Sequence, residues 1–260
     1  MTSTQQTRSP SGRRSRSAVA RSALGDLGLA LLPLGIVTTA TSRVLDLPAT
    51  YAAVCVVLYL GLGALILRFL PARLPGPGLG AANRVTLGRA TLALPVAALL
   101  AVPGVLTPVG AWWAVLLAAP ALALDGVDGR IARATGTVSP FGGRLDMEID
   151  AFLILALSGL VWTSTPLGPW VVSIGGLRYL FAAAGALWPR LDGPLPPSRR
   201  RQAICVVQSV SLLVCLAPVL PPIADAMIAA VALLTLLYSF AVDVAWLARQ
   251  SATAREGAAR

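Results

Sequence analysis

Long apolar runs separated by short polar or proline-containing breaks dominate this sequence. Hydropathy predicts eight of them, at residues 24–42, 50–70, 84–103, 109–126, 147–164, 168–188, 202–219 and 223–247. A helix of about 20 apolar residues crosses roughly 30 Å of hydrocarbon, and only 12% of the residues are charged, about half the proportion found in soluble domains. The sequence therefore predicts an all-α, polytopic integral membrane bundle of about eight spans.

The arginines indicate how the chain is oriented in the membrane. All 21 basic residues are arginines, and the 11 acids leave a formal charge of +10. The arginines lie in short segments between apolar runs and not on one soluble face, which argues against nucleic-acid binding. With the N-terminal tail in the cytosol, eight crossings place nearly all of them on that side. We expect a bacterial plasma-membrane protein with both termini cytosolic; a six-span version with the first hairpin lying differently is the alternative.

Five of the 11 acids are concentrated within 26 residues, at the ends of the fourth and fifth runs. On helices, Asp125 and Asp128 share one face, as do Asp146 and Asp150. Four carboxylates aimed at one point repel each other unless a divalent cation neutralises them, and hard oxygen ligands favour Mg²⁺ or Mn²⁺. The spacing predicts a metal site made of these four aspartates, while Glu148 is interpreted as a solvated or capping residue.

Residues next to these acids are suited to binding a nucleotide. Gly129, Ala132 and Gly142 are small enough to let a nucleotide approach the backbone, and Arg133 can pair with a phosphate or a base. The chain has no histidine, which excludes a histidine base, nucleophile or metal ligand. Acid-base chemistry must therefore fall to carboxylates.

The order of these residues resembles the signature of the CDP-alcohol phosphotransferase family without departure. Its eight fixed positions correspond to Asp125, Asp128, Gly129, Ala132, Arg133, Gly142, Asp146 and Asp150. Upstream, Asn83-x-x-Thr86-x-x-Arg89 is similar to an element that opens the first core helix in many members, so Asn83 and Thr86 join the expected nucleotide contacts. The family core has six spans, and the two spans before residue 83 are therefore an addition.

The resemblance implies an activity. A CDP-linked donor, often CDP-diacylglycerol, is attacked at its β-phosphate by an acceptor hydroxyl, and CMP is released. Asp125, Asp128 and Asp146 hold the metals, and Asp150 resembles the proposed general base of the family, with possible metal contact. The implied domains are a disordered basic tail (1–22), an added hairpin and linker (23–82), the membrane domain (83–248) and a short cytosolic tail (249–260). Membership also implies a homodimer.

A second basic cluster lies on the side predicted to be cytosolic. Arg199, Arg200 and Arg201 open the seventh run, and Arg178 lies inside the sixth. One reading is anchoring to anionic lipid headgroups. The other is a site for a phosphorylated acceptor, because the position resembles the acceptor-phosphate residues of members that use inositol phosphate or glycerol 3-phosphate. Arg178 supports the second reading, since an arginine within a span normally needs an anionic partner.

Other activities remain as alternatives. Within the family, a soluble CDP-alcohol can be the donor and a lipid the acceptor. A divalent-cation transporter would place acids near the bilayer midplane, whereas these acids are concentrated at one edge. A non-catalytic relative is disfavoured by the complete signature.

The remaining polar residues of the apolar runs receive structural interpretations. Asp26, Asp225 and Asp243 are expected to cap helices or lie at the membrane interface. The three cysteines all fall inside apolar runs, which favours unpaired buried thiols over a disulfide framework.

Overall fold

The computed structural model describes residues 16–71, 74, 79–188, 196 and 198–258, with side chains throughout except at 16–18, 127–128, 132 and 251–258. Within these ranges the chain forms α-helices and two short 3-10 helices, and no strand. The α-helices are α1 (Arg16–Val44), α2 (Ala49–Phe69), α3 (Ala81–Ala98), α4 (Pro108–Ala123), α5 (Asp125–Thr135), α6 (Pro140–Ser164), α7 (Val172–Leu187), α8 (Arg199–Leu216) and α9 (Pro222–Ala258). The 3-10 helices are Leu99–Ala101 and Pro169–Val171.

The predicted all-helical membrane bundle is confirmed. Each of the eight apolar runs coincides with one long helix, which leaves the shorter α5 as the extra element. Five described helices are long and apolar enough to cross a membrane, namely Val19–Val44, Ala49–Phe69, Ala81–Ala101, Pro169–Leu187 and Pro222–Gln250. Helix α4 is apolar but shorter, α8 begins with three arginines, and the second and third turns of α6 contain charged residues.

The boundaries of several elements differ from the sequence expectations. Helix α1 begins at Arg16, inside the segment expected to be a disordered tail, and α9 continues to Ala258 through the expected C-terminal tail. The rest of the N-terminal tail, residues 1–15, lies outside the described residues. The fourth run was expected to extend to residue 126, but α4 ends at Ala123 and Asp125 begins a separate helix.

Helix α6 also begins earlier than its apolar run. Gly136 has a φ of +64° and follows the last residue of α5, a conformation that glycine adopts with little strain. The Ser139 hydroxyl then accepts a hydrogen bond from the Gly142 amide at 3.0 Å, and Pro140 occupies the first turn, where proline is favoured. Asp146 consequently lies in the second turn of α6 and is not a helix cap.

Helix α3 is the central element of the bundle. In its most apolar 18-residue stretch, 67% is buried inside the protein, against 17% for the corresponding stretch of α2. Helix α3 packs against α1, α4, α5 and α6. The outer helices direct large apolar side chains away from the protein, including Ile36, Leu60, Leu180 and Leu234. In a bilayer these side chains face lipid. All three cysteines are free, with Cys55 and Cys215 buried and Cys205 partly buried, as expected.

Candidate active site

Three of the four predicted metal ligands come together where α5 begins and α6 passes beside it. One carboxylate oxygen from each of Asp125, Asp146 and Asp150 lies within 4.8 Å of the others. Asp125 is the first residue of α5, and Asp146 and Asp150 are one turn apart on α6. Their side chains are 36%, 32% and 17% exposed respectively. Asp125 and Asp146 are therefore more accessible to solvent than Asp150, which lies deeper in the protein.

The fourth predicted ligand, Asp128, has a side chain outside the described residues. Its backbone belongs to α5, three positions after Asp125. Residues three apart on a helix share a face, so the backbone is compatible with the predicted ligand set.

Arg89 is the counter-ion of the three carboxylates. Its side chain is only 1% exposed, and the Nη1 atom lies 3.1 Å from Asp125 Oδ1. The same guanidinium forms ion pairs with Asp146 and Asp150. Its Nε donates to the Ala121 carbonyl of α4 at 3.0 Å. A buried arginine on a membrane helix requires anionic partners, and Arg89 thereby ties α3 to α4, α5 and α6.

The donor set fits a divalent metal. Three ionised carboxylates and one guanidinium carry a formal charge of −2, and all the acidic ligand atoms are hard oxygens. Such a set suits Mg²⁺ or Mn²⁺ better than zinc or copper. Asp125, Asp146 and Asp150 are the residues that would hold it, with Asp128 as the predicted fourth ligand.

Arg89 was missing from the predicted site residues. The sequence placed it in the Asn-x-x-Thr-x-x-Arg element, but roles were assigned only to Asn83 and Thr86. An arginine within an apolar run needs an anionic partner, and the nearby cluster of aspartates offers one. Like Arg178, Arg89 is an arginine within an apolar run, and this feature of the sequence predicts a site role for it.

Asn83 and Thr86 lie buried on α3, about two turns and one turn before Arg89 respectively. Asn83 Nδ2 donates to the Leu79 carbonyl at 2.7 Å, and the Thr86 hydroxyl donates to the Ala82 carbonyl at 3.2 Å. A Cβ added at Gly142 would collide with Asn83 Oδ1. The small residue at position 142 is therefore required for the contact between α6 and Asn83, a reason that spacing in the sequence does not show.

The remaining nucleotide-contact candidates lie on α5. Arg133 is exposed in the last turn, and its Nη1 atom would be 3.4 Å from a Cβ at Gly129. These two residues therefore lie side by side on the helix. The side chain of Ala132 is outside the described residues.

Three arginines of the second basic cluster, Arg178, Arg200 and Arg201, form ion pairs with acidic side chains. Arg178 Nη2 lies 2.6 Å from Glu148 Oε1, and both side chains are partly exposed. Arg200 pairs with Asp243, and Arg201 Nη1 lies 3.4 Å from the same carboxylate. Arg199 is exposed at the first position of α8.

Two of the three aspartates expected to be caps or interfacial residues form ion pairs that the sequence did not predict. Asp243 is buried and pairs with Arg200 and Arg201, and Asp26 is buried and pairs with Arg84. Carboxylates flanked by apolar helices are stabilised by such pairing. Asp225 lies in the first turn of α9, where an acid favours the helix dipole.

Comparison with known families settles the membership of the chain. The family model described as CDP-alcohol phosphatidyltransferase matches residues 79–238, which is more than half of the sequence. The chain belongs to the CDP-alcohol phosphatidyltransferase family. The matched range includes Arg89 and all eight signature positions, and it begins after α1 and α2.

Two curated archaeal proteins match shorter segments. Archaetidylinositol phosphate synthase from Aeropyrum pernix is 52% identical over 62 residues, which are 23% of this chain and 30% of that protein. Archaetidylinositol phosphate synthase from Pyrococcus horikoshii is 46% identical over 74 residues, 25% of this chain and 39% of that protein. The similarity thus spans less than half of either relative. No solved structure is a significant match.

Proposed function

We propose that this member of the CDP-alcohol phosphatidyltransferase family transfers a phosphatidyl or related phosphoalcohol group from a CDP-activated lipid to the hydroxyl of a phosphorylated alcohol. The observation that carries the proposal is the cluster of three carboxylates within 4.8 Å in a chain with the complete family signature. The donor is CDP-diacylglycerol or a similar CDP-lipid. The names of the two relatives favour inositol phosphate over glycerol 3-phosphate as acceptor.

The reaction is a substitution at phosphorus. The acceptor oxygen forms a bond to the β-phosphorus of the donor, the bond from that phosphorus to the bridging oxygen breaks, and CMP leaves with the electron pair. A bound Mg²⁺ or Mn²⁺ would supply positive charge that stabilises the leaving CMP. Asp125, Asp128 and Asp146 would hold the metal.

Asp150 takes the proton of the acceptor hydroxyl and can also contact the metal. It is the least exposed of the three described carboxylates, and its ion pair with Arg89 fixes its orientation. A general base must be held within hydrogen-bond reach of the proton that it removes. Arg89 therefore positions the base as well as balancing its charge.

The cytidine nucleotide contacts residues in the first two turns of α3, along α5 and in the first turn of α6. These contacts are assigned to Asn83, Thr86, Gly129, Ala132, Arg133 and Gly142. The juxtaposition of Asn83 and Gly142 supports one continuous nucleotide surface from α3 to α6.

The acceptor phosphate binds the second basic cluster, made of Arg178, Arg199, Arg200 and Arg201. Arg200 Nη1 is buried and has no hydrogen-bond partner among the described residues. A buried donor without a partner costs free energy, and a phosphate oxygen would satisfy it with a strong charge-assisted bond. Lipid headgroup binding at these arginines is the competing interpretation.

The orientation and assembly follow from the arginine distribution and the family. Eight crossings place both termini and the active site in the cytosol, in a bacterial plasma membrane. Residues 83–248 form the catalytic domain, residues 23–82 form an added hairpin and linker, and the protein acts as a homodimer.

CMP release from CDP-diacylglycerol with Mg²⁺ tests the proposal. Purified protein is assayed with inositol 1-phosphate, glycerol 3-phosphate, inositol and serine, and with CDP-choline as an alternative donor. We expect release with a phosphorylated acceptor and a loss of about 10²–10⁴-fold in Asp150→Asn, the size of a general-base contribution. Release with CDP-choline and a lipid acceptor only would overturn the choice of donor.

A further inference from the structure

Helix α1 lies outside the family-matched range but contacts the segment that opens α3. Asp26 of α1 is buried, and its Oδ2 atom accepts a hydrogen bond from the Leu79 amide at 2.8 Å. Its Oδ1 atom lies 2.9 Å from Arg84 Nε. One carboxylate thus holds both the backbone of Leu79, two residues before α3, and a side chain in the first turn of α3.

The start of α3 has no local cap that could replace this anchor. Its N-cap is Gly80, with a φ of +88° and no side-chain hydrogen bond. Helix starts are usually fixed by a polar N-cap side chain. Here the fixing group comes from a different helix, and the buried Leu79 amide would lose its partner without Asp26.

The anchored residue continues into the candidate nucleotide site. The Leu79 carbonyl accepts a hydrogen bond from Asn83 Nδ2 at 2.7 Å, and Asn83 Oδ1 occupies the space beside Gly142. A continuous path of contacts therefore runs from Asp26 through Leu79 and Asn83 to the signature glycine of α6.

We infer that Asp26 is a positioning residue for the nucleotide end of the active site, supplied by the added N-terminal helix. The inference rests on the proposed function, because it assumes that Asn83 and Gly142 contact the cytidine nucleotide. Asp26 fixes the Leu79 backbone, which orients the Asn83 amide. The added hairpin therefore contributes to donor binding.

Two substitutions separate the hydrogen bond from the charge. Asp26→Leu removes both, whereas Asp26→Asn keeps an oxygen that can accept from Leu79. Removing an ionisable group from an apolar helix does not oppose membrane insertion. Should Asp26→Leu fail to fold, Asp26→Leu with Arg84→Met replaces it and leaves no unpaired charge.

Thr41→Val is the matched control. Thr41 also lies on α1, and its hydroxyl accepts a hydrogen bond from Trp113 Nε1 of α4 at 3.0 Å. The variant breaks a contact between α1 and the core without touching Leu79 or Asn83. Any effect of loosening α1 in general appears in this variant as well.

The experiment measures CMP affinity with Mg²⁺ in full-length protein in detergent, together with KM for CDP-diacylglycerol, kcat and thermal stability. We expect about tenfold weaker CMP binding and a raised KM in Asp26→Leu, the size of one lost hydrogen bond to a charged group, with kcat little changed. Asp26→Asn and Thr41→Val should bind within about threefold of wild type. In an Asn83→Ala background, Asp26→Leu should have no further effect on affinity.

Three outcomes overturn the inference. Wild-type affinity in Asp26→Leu shows that Asp26 does not act on the site, and equal losses in Asp26→Leu and Thr41→Val show that it only docks α1. If wild-type protein neither binds CMP nor produces it from CDP-diacylglycerol, the proposed function fails and the inference fails with it. The first two results leave the proposed function intact.

Discussion

At the scale of single residues, Arg89 explains how three carboxylates share one site beside a membrane. The guanidinium contacts Asp125, Asp146 and Asp150 and is anchored at Nε by the Ala121 carbonyl. Removing one partner of a buried ion pair leaves uncompensated charge, at a cost of about 3–5 kcal/mol. The carboxylates would then depend on a cation to remain together.

Arg89→Met is therefore expected to lower the melting temperature strongly in EDTA and to regain part of the loss in millimolar Mg²⁺. Wild-type protein should respond less to Mg²⁺. Arg178→Met is the control, because its ion pair with Glu148 is solvent-exposed and such pairs contribute about 0–1 kcal/mol. Equal melting temperatures of Arg89→Met and wild type in EDTA would show that Arg89 does not hold the cluster.

Gly142→Ala tests the contact between α6 and Asn83. Its Cβ would collide with Asn83 Oδ1, and overpacking of this kind costs about 1–3 kcal/mol. We expect lower thermal stability and weaker CMP binding. Adding Asn83→Ala should restore the stability but not the affinity. Gly143→Ala, whose Cβ would meet no atom within 4 Å, should have the melting temperature of wild type. A wild-type melting temperature in Gly142→Ala would refute the contact with Asn83.

The sequence predicted much of the site at this scale. The spacing of four residues predicted that Asp146 and Asp150 share one face of a helix, and the structure places Asp125 of the neighbouring helix beside them. Arg89 and the Asn83–Gly142 contact depend on how α3 packs against α6. Packing between distant helices is not encoded in local spacing, so these two features came only from the structure.

At the scale of elements, the signature is divided between two helices of different character. Only Leu124 separates the apolar α4 from α5, which begins with Asp125. A hydropathy window averages over this junction, which is why the fourth run extended to residue 126 in the prediction. The start of α6 was likewise predicted too late in the chain, because hydropathy does not detect its first turns, which contain glycines and charged residues. The local signal for the helix start is Ser139 followed by Pro140.

The approach of α7 to α6 depends on Gly175. A Cβ at this position would fall on the backbone of Leu155, whereas a Cβ at the neighbouring Gly176 would meet nothing within 4 Å. Small residues allow such close helix contacts in membranes. We expect Gly175→Ala to lower the melting temperature in detergent, because backbone cannot move aside, and Gly176→Ala to have little effect. Similar melting temperatures for the two variants would contradict the close approach.

At the scale of the whole molecule, the helical membrane bundle was predictable from the apolar runs alone. The family-matched range, residues 79–238, runs from the start of α3 into α9, and α3 lies at the centre of the bundle. The added α1 and α2 were visible in the sequence, but their contact with the start of α3 was not. Asp26 had been interpreted as a cap or interfacial residue because its partner lies 53 positions away in the chain.

The proposed dependence on metal is tested on the complete site. We expect EDTA to abolish CMP release and Mg²⁺ or Mn²⁺ to restore it, because under the proposal the carboxylates would bind the donor pyrophosphate through a cation. Asp125→Asn should need a higher Mg²⁺ concentration for half-maximal rate. Full activity in EDTA would contradict this role of the cluster.

The most direct measurement is acceptor-dependent CMP release from CDP-diacylglycerol by purified wild-type protein and by Asp150→Asn, with Mg²⁺ and inositol 1-phosphate. We predict that release by wild type requires the acceptor and that the variant loses about 10²–10⁴-fold of the activity. Equal release by both proteins, or none from wild type with any CDP-linked donor, would contradict it.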